Sequence, residues 1–234
     1  MTIAMPKAPQ ASPRTDARAA PRAKLLLGAC FAALLAAAPV LAQSAGTTGS
    51  AAAPAAASQD QVEGTIHVCS SCHGREGRSI SPTFPRLAGQ RVEYIEAQLK
   101  AFRDHTRADP HAHTYMWGMA AHLTDPLIHG IAAYYSGQTP AAGTARDPAE
   151  IAAGKKIFEE GIADRNVPAC QSCHGEKGQG LETIPRLADQ HFDYLAEQLT
   201  NFASNARANE IMHENSKNLT PEEIRQVTAY LGSL

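Results

Sequence analysis

An all-α chain made of two tandem copies of one small helical domain is the fold this sequence predicts, and three observations carry it. The five residues Cys69-Ser70-Ser71-Cys72-His73 return as Cys170-Gln171-Ser172-Cys173-His174, 101 positions later. A second block repeats at nearly the same period. Pro85-Arg86-Leu87-Ala88-Gly89-Gln90 returns as Pro185-Arg186-Leu187-Ala188-Asp189-Gln190, and Tyr94, Gln98, Leu99, Phe102 and Arg107 each recur 100 positions on. Apolar residues also fall at helical intervals, with no strand-like alternation to compete. Two copies at this period mark a domain duplication, because solenoid units are only about 20–50 residues long.

In chain order, residues 1–42 read as a cleaved secretory signal. Lys7, Arg14, Arg18, Arg22 and Lys24 face one acid, Asp16, and an apolar run from Leu25 to Leu41 follows. Val40-Leu41-Ala42 supplies the small residues of a peptidase site and places cleavage after Ala42. Two alternatives stand beside this. Leu27-Gly28-Ala29-Cys30 resembles a lipoprotein box, although few apolar residues precede Cys30. An uncleaved anchor would have to use a run of 17 residues that contains Pro39, at the lower edge of spanning length.

Residues 43–59 are rich in Ala, Gly, Ser and Thr and form a flexible tether. Domain 1 spans 60–137. Val92, Ile95, Leu99 and Phe102 share one helical face there, and Thr124-Asp125-Pro126 opens a last helix whose buried stripe is Leu127, Ile131 and Tyr134. Residues 138–147, rich in Gly, Ala, Thr and Pro, form a linker. Domain 2 spans 148–234, with Phe192, Leu195, Leu199 and Phe202 on the matching face. Thr220-Pro221-Glu222-Glu223 is a capping box with proline at the first helical position, and it starts a final helix that buries Ile224, Val227 and Leu231.

Charge narrows the function classes. Cleavage after Ala42 removes five bases and one acid and leaves 16 Lys and Arg against 22 Asp and Glu, a net charge of −6. A chain this acidic is not a nucleic-acid binder. Domain 2 carries most of the excess, which orients the molecule toward partners or simply solvates its surface.

The repeated pentapeptide is the chemical signal. Cys-x-x-Cys-His is the attachment signature of c-type haem: two thiols bond the macrocycle covalently and the histidine faces its iron. A zinc ribbon would bring its second cysteine pair about 15–20 residues later, and a redox dithiol does not call for a histidine after each pair. Cys69, Cys72, Cys170 and Cys173 are therefore covalent attachment points for two haem c groups, with His73 and His174 as axial ligands. Met116 lies seven residues before Leu123, and Met212 lies seven before Leu219. Both stand in loops between helices and are the expected second ligands, since a thioether favours ferrous iron. The haem-motif-to-methionine spacing is 43 residues in the first copy and 38 in the second. Extra histidines, His111 and His113, sit in the longer one, and Met119 lies close by, so a bis-histidine first haem stays open. Pro85 and Pro185, 12 and 11 residues after their histidines, are expected to offer backbone carbonyls that orient the ligand rings.

With these residues placed, the chain resembles the dihaem cytochrome c4 family over about residues 60–234. Cys72-His73-Gly74 with Phe84–Gln90, and Gly161–Asp164 leading through Val167-Pro168-Ala169 to Cys170, carry the resemblance most strongly. It implies two cytochrome c-like domains joined across a pseudo-twofold interface, in a periplasmic electron carrier that is soluble or peripherally membrane-associated. Its expected partners are redox proteins: a quinol-oxidising complex, a terminal oxidase or a periplasmic dehydrogenase. The rival readings are the haem subunit of a periplasmic oxidoreductase, acting with a flavoprotein or a sulfur-compound dehydrogenase, or a dihaem peroxidase. One departure stands out. Copy two has Gly154 and Phe158, the small and aromatic pair that lets first and last helices cross closely. Copy one shows no equivalent, and its first helix is expected to be truncated.

Overall fold

The computed structural model describes residues 55–234, so the expected signal and most of the tether lie outside the described residues. Those described are helical, with two isolated β-bridges and no strands. Copy one comprises α1 (Gln59–His73), α2 (Val92–Arg103), a π-helical turn (Ala112–Met116), the short α3 (Trp117–Ala120) and α4 (Asp125–Ser136). Copy two comprises α5 (Pro148–Glu160), the short α6 (Gln171–His174), α7 (Phe192–Ala203), α8 (Glu210–Ser216) and α9 (Pro221–Ser233).

Local chemistry sets the helix ends. Ser58 caps α1 by accepting from Gln61 N–H, and the Gln61 side chain accepts from Ser58 N–H in return. The Thr220–Glu223 box does the same for α9. Thr124 stands at the N-cap of α4 without a side-chain cap bond. Gly74 at φ 76° and Gly161 at φ 71° end α1 and α5 in the left-handed region that favours glycine.

Each copy has its own core. In the first, Ile66, Ile95, Leu99 and Phe102 meet Ile128, Ile131, Ala132 and Tyr135. The stripe on α4 differs from expectation, since Leu127 and Tyr134 are only half-buried. Residues 127, 131 and 134 and residues 128, 131, 132 and 135 are both good helical faces; the second points inward because Leu127 borders a cleft. The second core joins Ile157 and Phe158 to Leu195, Val227, Tyr230 and Leu231. On α9 the stripe is as expected, with Ile224, Val227 and Leu231 all buried.

The first helix of copy one is not simply shortened. It runs without a break into the haem motif, whereas α5 and α6 are separate helices. The glycine of the crossing has also changed helix. In copy two, a Cβ on Gly154 of α5 would lie 1.9 Å from the Gln226 carbonyl oxygen of α9. In copy one, Gly130 of α4 provides the gap, and Val62 of α1 fills it, its Cγ2 2.5 Å from where a Cβ would be.

The copies meet through polar groups arranged reciprocally. The Gln190 side chain accepts from Arg86 N–H at 2.8 Å and donates to the Arg86 carbonyl at 2.9 Å. Gln90 makes the same pair to Arg186, at 2.8 and 2.9 Å. Deeper in, Gln98 Oε1 accepts from both Arg107 (2.8 Å) and Arg207 (2.7 Å). Gln198 Oε1 likewise accepts from Arg207 (2.8 Å) and Arg107 (3.0 Å). Residues 138–147 are bonded to both copies. Arg78 donates to the Thr139 carbonyl, Arg86 to the Ala142 carbonyl, and Thr144 N–H to the Gly232 carbonyl at 2.7 Å.

Candidate haem sites

Cys69, Cys72 and His73 occupy the last turn of α1, which brings both sulfurs and the imidazole to one end of the helix. His73 is buried, and its Nδ1 donates to the Pro85 carbonyl at 2.9 Å. His174 closes α6 in the same way, buried, with its Nδ1 donating to the Pro185 carbonyl at 3.0 Å. Burial holds both imidazoles below the usual histidine range, and the carbonyl bond opposes that shift without reversing it. Each ring is thus kept neutral with Nδ1 committed, leaving Nε2 and its lone pair as the coordinating atom.

The four cysteines of the repeated motif form no disulfide with one another, and within each pair one is partly buried and one exposed. Burial raises the Cys69 thiol and pushes Cys170 up to about 11. Neither is poised as a thiolate nucleophile; both face apolar surroundings suited to a covalently held macrocycle. Beside Cys69 opens a cleft of about 370 Å³, walled by Leu99, Met116, Leu123, Leu127 and Ile131. An apolar cleft next to the paired thiols and a methionine sulfur fits a haem c.

Met116 is half-buried against the first core and ends the π-helical turn. It follows Arg107 by nine positions, whereas Met212 follows Arg207 by five. The four additional residues are taken up by that turn, a local widening often found at functional positions. Met119 also borders the cleft but is 51% exposed. The extra histidines point elsewhere. His111 Nδ1 lies 2.9 Å from Glu197 of the other copy, and His113 packs edge-on against Trp117, which stacks on His105. Met212 sits in the first turn of α8, half-buried, its N–H donating to the Asn209 cap.

The second copy places asparagine at 209 where the first has Asp109. Asp109 is fully buried and pairs with Arg107 at 2.7 Å. Around it, burial would raise the Tyr94 hydroxyl, but the Arg207 and Arg107 guanidiniums overcome that and lower it. This buried cationic cluster escaped the sequence reading, although its members were in view. Gln90, Gln98 and Arg107 and their counterparts served only as markers of the repeat, and the return of polar residues beside the apolar stripes of α2 and α7 was the unused signal.

Comparison with known proteins agrees with this geometry. A family model described as Cytochrome c matches residues 151–234. A cytochrome c-552 of Acidithiobacillus ferridurans is 41% identical over 199 residues, 83% of each chain. A cytochrome c4 of Thiocapsa roseopersicina is 39% identical, covering 71% of this chain and 87% of its own. A thiosulfate dehydrogenase electron acceptor of Stutzerimonas stutzeri is 31% identical, over 71% of this chain and 78% of its own. Among solved structures, a cytochrome c4 of Acidithiobacillus ferrooxidans superposes with a TM-score of 0.68 at 43% identity, covering 71% of this chain and 98% of that one.

Proposed function

Because this chain belongs to the cytochrome c4 family, and so carries two haem c groups in an all-α c-type cytochrome fold, we propose that it is a periplasmic carrier passing single electrons between respiratory donors and acceptors such as terminal oxidases. Each bound haem supplies an iron that alternates between ferrous and ferric states, one electron at a time. The chain's own residues hold and tune it. Cys69 and Cys72 would hold the first haem through thioether links, and Cys170 and Cys173 the second. His73 and Met116 would ligate one iron, and His174 and Met212 the other. The observation that carries this is the duplicated histidine: buried, neutral, and pinned at Nδ1 by a proline carbonyl, with Nε2 left to coordinate. Ligation by a methionine thioether would raise the potential, as an electron carrier needs. Export by the 1–42 segment would place the protein where redox partners meet it, free or peripherally attached to the membrane.

The test is spectral. The ferric protein is expected to show the weak methionine-to-iron band for both haems. Met116→Ala and Met212→Ala should each remove one of them, while His111→Ala and His113→Ala should remove neither. Absence of that band for the first haem of the unaltered protein, or its appearance only in His111→Ala or His113→Ala, would sink the His/Met assignment there. A second reading, the haem subunit of a periplasmic oxidoreductase, is favoured by the similarity to a thiosulfate dehydrogenase electron acceptor. Carbon monoxide binding or peroxide turnover by the reduced protein would instead make it an enzyme in its own right.

A further inference from the structure

The peptide unit that orients each proximal histidine is the same unit that the other domain grips. His73 Nδ1–H donates to the carbonyl of Pro85, and the N–H of that same peptide, belonging to Arg86, donates to Gln190 Oε1 of copy two at 2.8 Å. The mirror chain runs from His174 through the Pro185–Arg186 peptide to Gln90 Oε1 of copy one, also at 2.8 Å. We propose that Gln90 and Gln190 are crossed positioning residues, each setting the electron affinity of the haem in the domain to which it does not belong.

The physical basis is cooperative polarisation. When an amide N–H donates, its own carbonyl oxygen becomes a better acceptor, with a gain of roughly 10–30% per bond in a chain. A stronger pull on Nδ1–H makes the imidazole a more basic ligand and favours ferric iron. The two glutamines are built for this. Both are buried. Each Oε1 also accepts from the next backbone N–H of its own chain, Arg91 or His191, at 3.0 Å. Each Nε2 donates to the opposite Arg86 or Arg186 carbonyl at 2.9 Å. Two N–H donors on one side and a carbonyl on the other leave a single amide orientation, so the acceptor always faces the relay. The charged interface residues act differently. The Arg107–Asp109–Arg207 cluster is bonded to both copies, whereas each glutamine Oε1 takes the N–H of only one of the two proline–arginine peptides.

This inference rests on His73 and His174 being iron ligands, and the test separates the two ideas. It uses the haem-loaded protein, with a potentiometric titration and NMR of the hyperfine-shifted histidine ring protons. Those signals in the unaltered protein establish ligation by His73 and His174; without them the ligand assignment fails before the relay is reached. Gln190→Met keeps the side-chain length but removes the acceptor. It should increase the reduced-to-oxidised ratio of haem 1 at a fixed poise about threefold, equivalent to about 30 mV upward at 59 mV per tenfold for one electron. It should also shift the His73 Nδ1 proton and leave haem 2 within error. Gln190→Glu, with a stronger acceptor, should move haem 1 the opposite way. Gln90→Met should repeat the upward shift at haem 2 alone. Equal shifts of both haems in every variant, a shift confined to the mutated domain, or the same sign for the Met and Glu replacements would each overturn the relay.

Discussion

Three glycines placed on first and last helices provide a test in which the sign of the effect, and not only its size, follows from the packing. Replacing a helical glycine by alanine gains about 1 kcal/mol of intrinsic helix preference when the new methyl meets nothing. Gly64 comes nearest to that case: no atom of the chain lies within 4 Å of its Cβ position, and it borders the cleft assigned to the first haem. Gly64→Ala should therefore stabilise by at most about 0.5–1 kcal/mol. Gly154 is the opposite case. Its methyl would stand 1.9 Å from the Gln226 carbonyl oxygen, 2.4 Å from its carbon and 2.9 Å from Val227 N. These are backbone atoms of a buried helix, so α5 and α9 must part by roughly 1.5 Å to restore ordinary contact. Overpacking of this kind costs about 1–3 kcal/mol, and a rigid neighbour puts the cost at the upper end. Less the helix gain, Gly154→Ala should lose about 2 kcal/mol, close to a 30-fold change in the folding equilibrium. Gly130 lies between the two. Its neighbour is Val62 Cγ2 at 2.5 Å, the end of a side chain, so Gly130→Ala should cost about 0–1 kcal/mol. Guanidinium titrations of the haem-loaded protein, followed by helix signal and by each haem's spectrum, would order the three variants. If Gly154→Ala matches or exceeds the stability of the parent, the close α5–α9 crossing is wrong.

Two further expectations follow from charge. Asp109→Asn strips the buried Arg107 of its carboxylate partner and should cost about 3–5 kcal/mol, the usual result of breaking one side of a buried pair; a change below about 1 kcal/mol in the same titrations would refute the pairing. Glu223, hydrogen-bonded by Arg165 and by the start of α9, titrates below its ordinary value. Its contribution is therefore present above the unfolded-state value near 4.5 and lost as pH falls through the folded-state one. Glu223→Gln should thus cost about 0.5–1 kcal/mol at pH 7 and nothing once the parent's carboxyl is protonated, so a stability gap that persists undiminished at low pH would count against it.

Much of the architecture was legible because repetition checks itself. A helical stripe seen once is ambiguous, but Leu99 and Phe102 returning as Leu199 and Phe202 beside a second Cys-x-x-Cys-His is hard to produce by chance. The proline carbonyls were anticipated for the same reason. What the sequence concealed depends on contacts between distant residues. The α4 stripe came out one position off because two helical faces were equally apolar and only the cleft decides between them. The gap between α1 and α4 was sought on the first helix, where copy two has it, whereas Gly130 opens it from the last. The role of Gln90 and Gln190 needed the two copies face to face, since within its own domain each side chain meets only the next backbone N–H and its remaining partners lie in the other copy.

The strap formed by residues 138–147 bears on the order in which the molecule is made. The helices of copy one are complete at Ser136, where α4 ends, and domains generally fold as units. The joint is different. Thr144 N–H waits for the carbonyl of Gly232, and Gly143 packs against the backbone of Ser233 and Leu234, nearly ninety residues downstream. The segment joining the copies thus precedes copy two in the chain but finds its place only when the end of copy two has formed. Until then copy one has its own core and its own haem-attachment motif but lacks the contact with its neighbour.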